Sequence, residues 1–178
     1  GERLELIGGA TVVLAPDDLV VADCNGPLAL ASVLGGQASA VGAGASELVV
    51  EAGIFPPHLV RRTARRHGLT TEASIRGSKV LAPMLAEVAL RRFLALLVEY
   101  GDVTSAELWR PYATPELSPA IQLELRELLR VGGVTVEPQQ VVAILSALGF
   151  ATALDHDGAT LTARPPWWRT DIDHPMDL

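Results

Sequence analysis

The first fifty residues break into short apolar or β-rich runs, and the pattern then changes to a helical repeat. The runs at 11–14, 19–22, 28–33 and 48–51 are separated by Gly8-Gly9, Pro16-Asp17-Asp18, Asn25-Gly26-Pro27 and a small-residue loop at 35–46. Spacing and turn residues of this kind predict a meander or a mixed sheet. Pro56 and Pro57 open a helix where a missing N–H costs nothing, Leu59, Val60, Thr63, Ala64 and His67 share one face, and Gly68 supplies a left-handed stop. A polar turn follows through Ser74. Leu90, Phe93, Leu94 and Leu97 then recur at i, i+3, i+4 and i+7 between Pro83 and Gly101. This predicts a long helix whose leucine stripe packs in the core over one face of the sheet.

Residues 102–120 change in character. Pro111, Tyr112, Thr114, Pro115, Ser118 and Pro119 make a proline-punctuated connection, where the domain boundary is expected. Residues 121–123 alternate as a short strand does, whereas Leu125, Leu128 and Leu129 have helical spacing, so residue 122 is compatible with either. Glu137-Pro138 begins a further helix with a stripe of Val141, Ile144, Leu145 and Leu148 and a stop at Gly149. The runs 151–154 and 160–163 flank His156-Asp157-Gly158 as a hairpin. The expected fold is α+β: a mixed-sheet domain with flanking helices, then a small winged-helix-like domain.

Composition narrows the function. An apolar fraction of 49% over 178 residues suits real cores in one large or two small domains. The apolar runs are too short to span a bilayer and no leader segment is legible, so the expectation is a soluble, cytoplasmic protein with no membrane contact. The net charge of −7 argues against a chain whose main task is gripping nucleic acid; any RNA contact must be local. Arg61, Arg62, Arg65 and Arg66 crowd the C-terminal half of their helix, as a solvated face matched to the helix dipole or as contacts to RNA phosphate. The helix beginning at Pro138 offers Gln139, Gln140 and Ser146 but no lysine or arginine, which favours packing against protein or tRNA within an assembly over DNA binding.

Cys24, the only cysteine, excludes an internal disulfide or a thiolate zinc site. It is expected to be a small buried hydrophobe; the competing reading is a nucleophile with His67 as a distant base. Gly35-Gly36 is expected in a tight turn rather than a phosphate cradle, since no lysine follows at the required place. Asp171, Asp173 and Asp177 cluster after Trp167-Trp168-Arg169; hard carboxylates at this spacing suit magnesium, and the alternative is solvated acids. The chain begins without methionine and stops at Asp177-Leu178 without a capping signal, which reads as a piece of something longer.

Three separated motifs, in matching order and spacing, resemble one family. They are Leu28-Ala29-Leu30-Ala31-Ser32-Val33-Leu34-Gly35-Gly36, Arg61-Arg62-Thr63-Ala64-Arg65-Arg66-His67-Gly68-Leu69-Thr70-Thr71-Glu72-Ala73-Ser74, and Pro165-Pro166-Trp167-Trp168-Arg169-Thr170-Asp171-Ile172. Together they resemble the β-subunit of bacterial phenylalanyl-tRNA synthetase. The resemblance implies that residues 1–103 are the later part of a tRNA-editing domain, 104–120 a linker, 121–165 the winged-helix-like domain and 166–178 the start of a catalytic-like domain. It also implies a parent ligase using ATP and magnesium, a heterotetramer of two α- and two β-subunits with catalysis in the α-subunit, and tRNA(Phe) as partner.

Editing in that family removes tyrosine wrongly attached to tRNA(Phe). A pocket that hydrogen-bonds the tyrosyl hydroxyl rejects phenylalanine, which would leave the buried polar group unpaired. The resemblance assigns that task to Glu51, expected after a strand, and the small pocket walls to Ala31, Ser32 and Ala73. It assigns magnesium to Asp171 and Asp177, together with two glutamates that would follow Leu178. No catalytic residue is assigned. Two departures stand out: Ser32 replaces the family's glycine, and 76–83 reads Arg-Gly-Ser-Lys-Val-Leu-Ala-Pro where the family has Arg-Phe-Glu-Arg-Gly-Val-Asp-Pro. The family's threonine, asparagine, histidine and proline pocket positions would precede Gly1, so this stretch is expected to hold half a site and not to edit alone. The alternative reading is a diverged, non-catalytic scaffold or binding module.

Overall fold

The computed structural model describes residues 1–101, 103, 106–109 and 118–178, which fall in two units, Gly1–Glu107 and Leu108–Leu178. The expectations for Pro111, Tyr112, Thr114 and Pro115 lie outside the described residues.

In the first unit, β1 (Arg3–Glu5) and β2 (Thr11–Val13) form a two-stranded ribbon, and β3 (Val20–Asp23), β4 (Gly26–Leu30) and β5 (Leu34–Gly35) form a three-stranded meander. An isolated bridge between Leu6 and Gly36 ties the two together. Every strand pair is antiparallel, which corrects the expected mixed sheet to small antiparallel ones. The β3–β4 turn is set by Asp23, whose Oδ1 accepts from the amides of Asn25 at 2.8 Å and Gly26 at 3.1 Å, with Gly26 at φ 139°. This local capture of amides is what makes aspartate a turn residue. Gly35 and Gly36 stand at the strand edge rather than in a turn. A Cβ on Gly36 would lie 2.5 Å from the Leu28 carbonyl, so close strand approach explains that glycine.

The helix α1 (Pro57–Arg66) begins and ends where its prolines and glycine predict, with Gly68 at φ 64° and the Leu69 amide bonded back to the Ala64 carbonyl at 2.9 Å. Val60, Thr63 and Ala64 are buried, joining Leu4, Leu6, Leu14, Leu30 and Val33 in the core. The polar turn after Gly68 is the start of a short helix, α2 (Glu72–Gly77), which the sequence reading missed. Thr71 caps it: its Oγ1 accepts from the Ser74 amide at 3.0 Å, and the Ser74 hydroxyl accepts from the Thr71 amide at 2.9 Å. Serine replaces the usual glutamate at the third helical position of this capping box.

Two further expectations fail here. Residues 48–51 form no strand; they lie in an exposed connection running to Pro56. The helix α3 (Leu85–Tyr100) exists as predicted, but none of its residues is buried and Phe93 is 41% exposed. The leucine stripe therefore does not form a core in this structure: Leu90, Leu94 and Leu97 are only half-buried.

The second unit pairs β6 (Ile121–Glu124), β8 (Thr160–Arg164) and β7 (Ala151–Leu154) in that order, all antiparallel. Strand and helix readings of 121–129 both hold in part: β6 ends at Glu124 and α4 (Arg126–Gly132) follows. The helix α5 (Pro138–Ala147) buries Val141 and Leu145, while Ile144 and Leu148 are 51% and 56% exposed, so half of the predicted stripe faces solvent. The core comprises Ile121, Val141, Leu145, Phe150, Leu161, Ala163 and Ile172, with Leu178 packed against it. In the β7–β8 hairpin, Asp155 Oδ1 accepts from the amides of Ala159 and Thr160 at 2.9 and 3.0 Å, and Gly158 adopts φ 69°. Among the described residues, no helix is long and apolar enough to cross a membrane.

Candidate functional site

The cleft in the first unit is built where three segments meet. The first is the turn after β4. Ala31 is buried and its amide donates to the Leu19 carbonyl at 2.9 Å. The next residue, Ser32, has φ 55°, the one non-glycine residue in the left-handed region among those described. A side chain in this region meets the following carbonyl and costs on the order of 1–2 kcal/mol, which is why glycine is usual there.

The second segment is α2. Thr71 Oγ1, besides capping the helix, donates to the Val33 carbonyl at 2.6 Å, and Ser32 Oγ donates to the Ala73 carbonyl at 3.4 Å. The turn and the start of the helix are thus bonded to each other at Ser32 itself and at the next residue, Val33. The Ser32 hydroxymethyl occupies a notch that exists because residue 77 is glycine: a Cβ there would lie 2.1 Å from Ser32 Oγ.

The third segment is the connection 51–55. Glu51 Oε1 and the Phe55 ring both stand within 3 Å of where a Cβ on Gly53 would be, so the carboxylate folds back over a glycine and beside an aromatic ring. Partial desolvation there raises the Glu51 carboxyl above its ordinary value, since leaving water disfavours the charged form, although the residue as a whole stays exposed.

These segments and the start of α3 enclose a cleft of about 280 Å³, lined by Ser32, Glu51, Ala52, Gly53, Ile54, Phe55, Leu81, Leu85, Ala86 and Ala89. Two of the four sequence-predicted wall residues, Ser32 and Glu51, line it together. Neither Ala73, whose carbonyl meets the Ser32 hydroxyl, nor Ala31 lines it. Gly53, Phe55 and the apolar positions of α3 were missed; the combination of an acid, a glycine and a phenylalanine at 51, 53 and 55 was the available signal. Glu51 is the one titratable side chain in the lining, so the cleft offers a carboxylate acceptor next to an apolar slot.

All four arginines of the α1 face are exposed, as the solvated reading expects, but three of them also have partners within the unit. Arg66 pairs with Asp17 at 2.8 Å and with Asp18, Arg62 pairs with Asp17 at 3.1 Å, and Arg61 donates to the Ser78 carbonyl at 2.7 Å. Arg65 is the member of the four without a hydrogen bond or ion pair among the described residues. The Asp18 side chain is fully buried; it also accepts from the Ala15 amide at 2.9 Å and meets His67 Nε2 at 2.7 Å. Desolvation alone would raise the Asp18 carboxyl. The Ala15 amide, His67 and Arg66 outweigh it and hold the group below the usual carboxylate range. His67 is thus tied to a carboxylate, and Cys24 is exposed rather than buried.

At the C-terminal end, Asp171 is held by Arg169 through two hydrogen bonds at 2.8 and 2.9 Å, which keeps its carboxyl low. Asp177 Oδ2 accepts from the amides of Asp173 and His174 at 3.2 and 2.9 Å, closing the short 3-10 turn Pro175–Asp177. Among the described residues, no group of three or more His, Cys, Asp or Glu side chains is placed to hold a metal ion. Magnesium demands six near-octahedral oxygens. Asp171 and Asp177, each engaged elsewhere, fit it only as part of a larger donor set.

Comparison with known proteins places both halves. The B3/4 domain family model matches residues 1–102, and the tRNA synthetase B5 domain model matches 121–178. Along its whole length the chain is 37% identical to the phenylalanine–tRNA ligase β subunit of Methylococcus capsulatus, 35% to that of Anaeromyxobacter dehalogenans and 34% to that of Porphyromonas gingivalis. It spans 22% of the length of each of these relatives. The chain belongs to the B3/4 domain family, carries a tRNA synthetase B5 domain after it, and is matched throughout by one stretch of phenylalanine–tRNA ligase β subunits.

Proposed function

We propose that the chain acts as part of the β-subunit of a phenylalanine–tRNA ligase, and that its first unit contributes to hydrolytic editing of tyrosyl-tRNA(Phe). The partners are then an α-subunit, in a heterotetramer of two α and two β, and tRNA(Phe), in the cytoplasm. Residues 1–103 are read as the later part of the editing domain, 104–120 as the linker, 121–165 as a winged-helix-like module of three strands and two helices, and 166–178 as the approach to a catalytic-like domain. ATP and magnesium serve the ligation chemistry of the complex, with Asp171 and Asp177 completed as ligands by further carboxylates.

The observation that carries the editing reading is the meeting of Glu51 and Ser32 in one largely apolar cleft. An aromatic ring is accepted by Phe55, Leu81 and Leu85, and the carboxylate stands ready for a single hydroxyl. Tyrosine satisfies Glu51, whereas phenylalanine would desolvate it without a partner. Apart from Glu51, which this reading commits to the tyrosyl hydroxyl, and Ser32, whose hydroxyl is directed to the Ala73 carbonyl, no polar side chain lines the cleft among the described residues, so in this reading the stretch binds and sorts the side chain while other parts of the ligase supply the hydrolytic machinery. That same observation favours the second reading, a scaffold that has lost editing.

The test is deacylation of tyrosyl-tRNA(Phe) by the complete ligase carrying this stretch, as wild type and as Glu51→Ala. Loss of one charge-assisted hydrogen bond, about 1.5–3 kcal/mol, lowers kcat/KM for tyrosyl-tRNA by roughly 10- to 100-fold. Unchanged deacylation in the variant, or release of tyrosine by the isolated 178-residue chain, would overturn the reading.

A further inference from the structure

Ser32 and Gly77 lie 45 positions apart, yet each explains the other. Ser32 stands in the left-handed region, where a side chain is disfavoured, and its hydroxymethyl must go somewhere. It does not lie in the middle of the cleft it lines. It turns to α2, with Oγ directed to the Ala73 carbonyl at 3.4 Å and seated 2.1 Å from the position a Cβ on Gly77 would take; the Ser32 Cβ is 2.9 Å from that same point. Real Cβ atoms do not approach other heavy atoms so closely. Gly77 is a buried residue within α2, where glycine costs helix stability relative to alanine and its φ is not in the left-handed region, so conformational freedom does not account for it. Space does. Val60 Cγ1, 3.4 Å from the same point, closes the notch from the core side.

We infer that Gly77 is a positioning residue for the cleft: it stows the Ser32 side chain against α2 and so keeps the slot beside Glu51 open to an aromatic side chain. A methyl group at 77 leaves Ser32 two ways out. It rotates about χ1 into the cleft, narrowing the slot, or the turn 31–33 is pushed from α2, straining the Thr71 bond to Val33. Glycine at 32 removes the conflict. The two positions therefore form a coupled pair, and specificity at the cleft is decided as much by residue 77, which does not line it, as by residue 32, which does. The ligand class, an amino acid with a para-hydroxylated ring, rests on the editing reading; the coupling itself does not.

The test is a double-mutant cycle on the full 178-residue chain with Gly77→Ala, Ser32→Gly and both together. Thermal unfolding followed by far-UV circular dichroism reads the coupling. Gly77→Ala is expected to lower Tm by about 5 °C or more, and the same change on a Ser32→Gly background to leave it level or raise it. A second readout, which a merely structural role would not move, is amide chemical-shift perturbation at Gly53 and Phe55 on titration with L-tyrosine. Gly77→Ala should weaken that perturbation by tenfold or more at a temperature where the variant is fully folded, and the double variant should regain it. Additive Tm effects overturn the coupling. Coupled Tm effects with tyrosine binding unchanged in Gly77→Ala overturn the positioning role. If tyrosine perturbs no variant, wild type included, the para-hydroxylated ring is overturned as a ligand of this half-site, deacylation by the complete ligase decides the editing reading separately, and the Tm cycle still decides the pair.

Discussion

Replacing Asp18 by alanine isolates the strongest electrostatic tie in the first unit. Its side chain has no solvent exposure and accepts from the Ala15 amide, from His67 and from Arg66. Truncation strands the Ala15 amide and the His67 ring, which is 8% exposed, without acceptors. Removing one partner of a buried, hydrogen-bonded pair costs about 3–5 kcal/mol. Arg66 is one-third exposed and can turn to Asp17 or water, which places Asp18→Ala near the lower end, about 3 kcal/mol. Asp17 touches the same arginine but is 42% exposed, so solvent screens the pair and Asp17→Ala costs far less than Asp18→Ala.

For a unit of this size a loss of about 3 kcal/mol moves Tm by roughly 10 °C or more, against a few degrees for Asp17→Ala. Thermal unfolding at pH 7 by far-UV circular dichroism measures both. Trp109, Trp167 and Trp168 all fall in the second unit, so tryptophan fluorescence provides an internal control that should not move. The pH dependence has a definite sign. A carboxyl held below its ordinary value of 3.8 contributes stability that is complete above that value and is lost as pH falls through the folded-state one. The gap between wild type and Asp18→Ala therefore closes in strong acid. Equal shifts for Asp17→Ala and Asp18→Ala, or a gap unchanged at pH 2, would refute the reasoning.

Glu51 has the opposite sign. Its carboxyl is raised by burial, so the folded state is penalised above the folded-state value, and the penalty vanishes below the ordinary 4.5. Glu51→Gln is expected to raise Tm slightly at pH 7 and to leave it unchanged at pH 3.5, as unfolding curves at the two pH values will show. In the second unit, Gly149 adopts φ 88° and a Cβ there would lie 3.2 Å from the Trp168 ring. Gly149→Ala should cost about 1–2 kcal/mol from the backbone conformation alone and shift the tryptophan emission as the ring is displaced; fluorescence-detected urea unfolding gives both numbers.

Local punctuation made part of this fold legible in the sequence. Pro57 and Gly68 bracket α1, Pro138 and Gly149 bracket α5, and Gly158 in His156-Asp157-Gly158 marks the hairpin, because each of these prolines and glycines acts through its own backbone. Elements that depend on distant partners were not legible. Residues 48–51 have strand composition but no neighbouring strand to pair with, and β propensity without a partner specifies little. The α3 stripe has the periodicity of a buried helix but no residue in the core. The short helix α2 escaped because its capping box uses Ser74 in place of an acid. At the candidate site, the small residues were traceable through resemblance, but Phe55 and Gly53 come from a connection with no periodic signal. The ion network joins residues some 45 to 49 positions apart, a distance that no local pattern spans.

The single hydroxyl of Thr71, bonded to both Val33 and Ser74, ties the turn that carries Ser32 to α2, so the two sides of the cleft have unequal freedom to vary. The wall carrying Ser32 is fixed by direct bonds that bypass the intervening chain. The acid on the opposite side hangs at the end of residues 40–51, which are exposed throughout. Insertions or deletions in that loop can lengthen or shorten the reach of the carboxylate while the wall stays in place. Loop length is therefore a means, separate from substitution of any lining residue, by which the reach of the carboxylate is set.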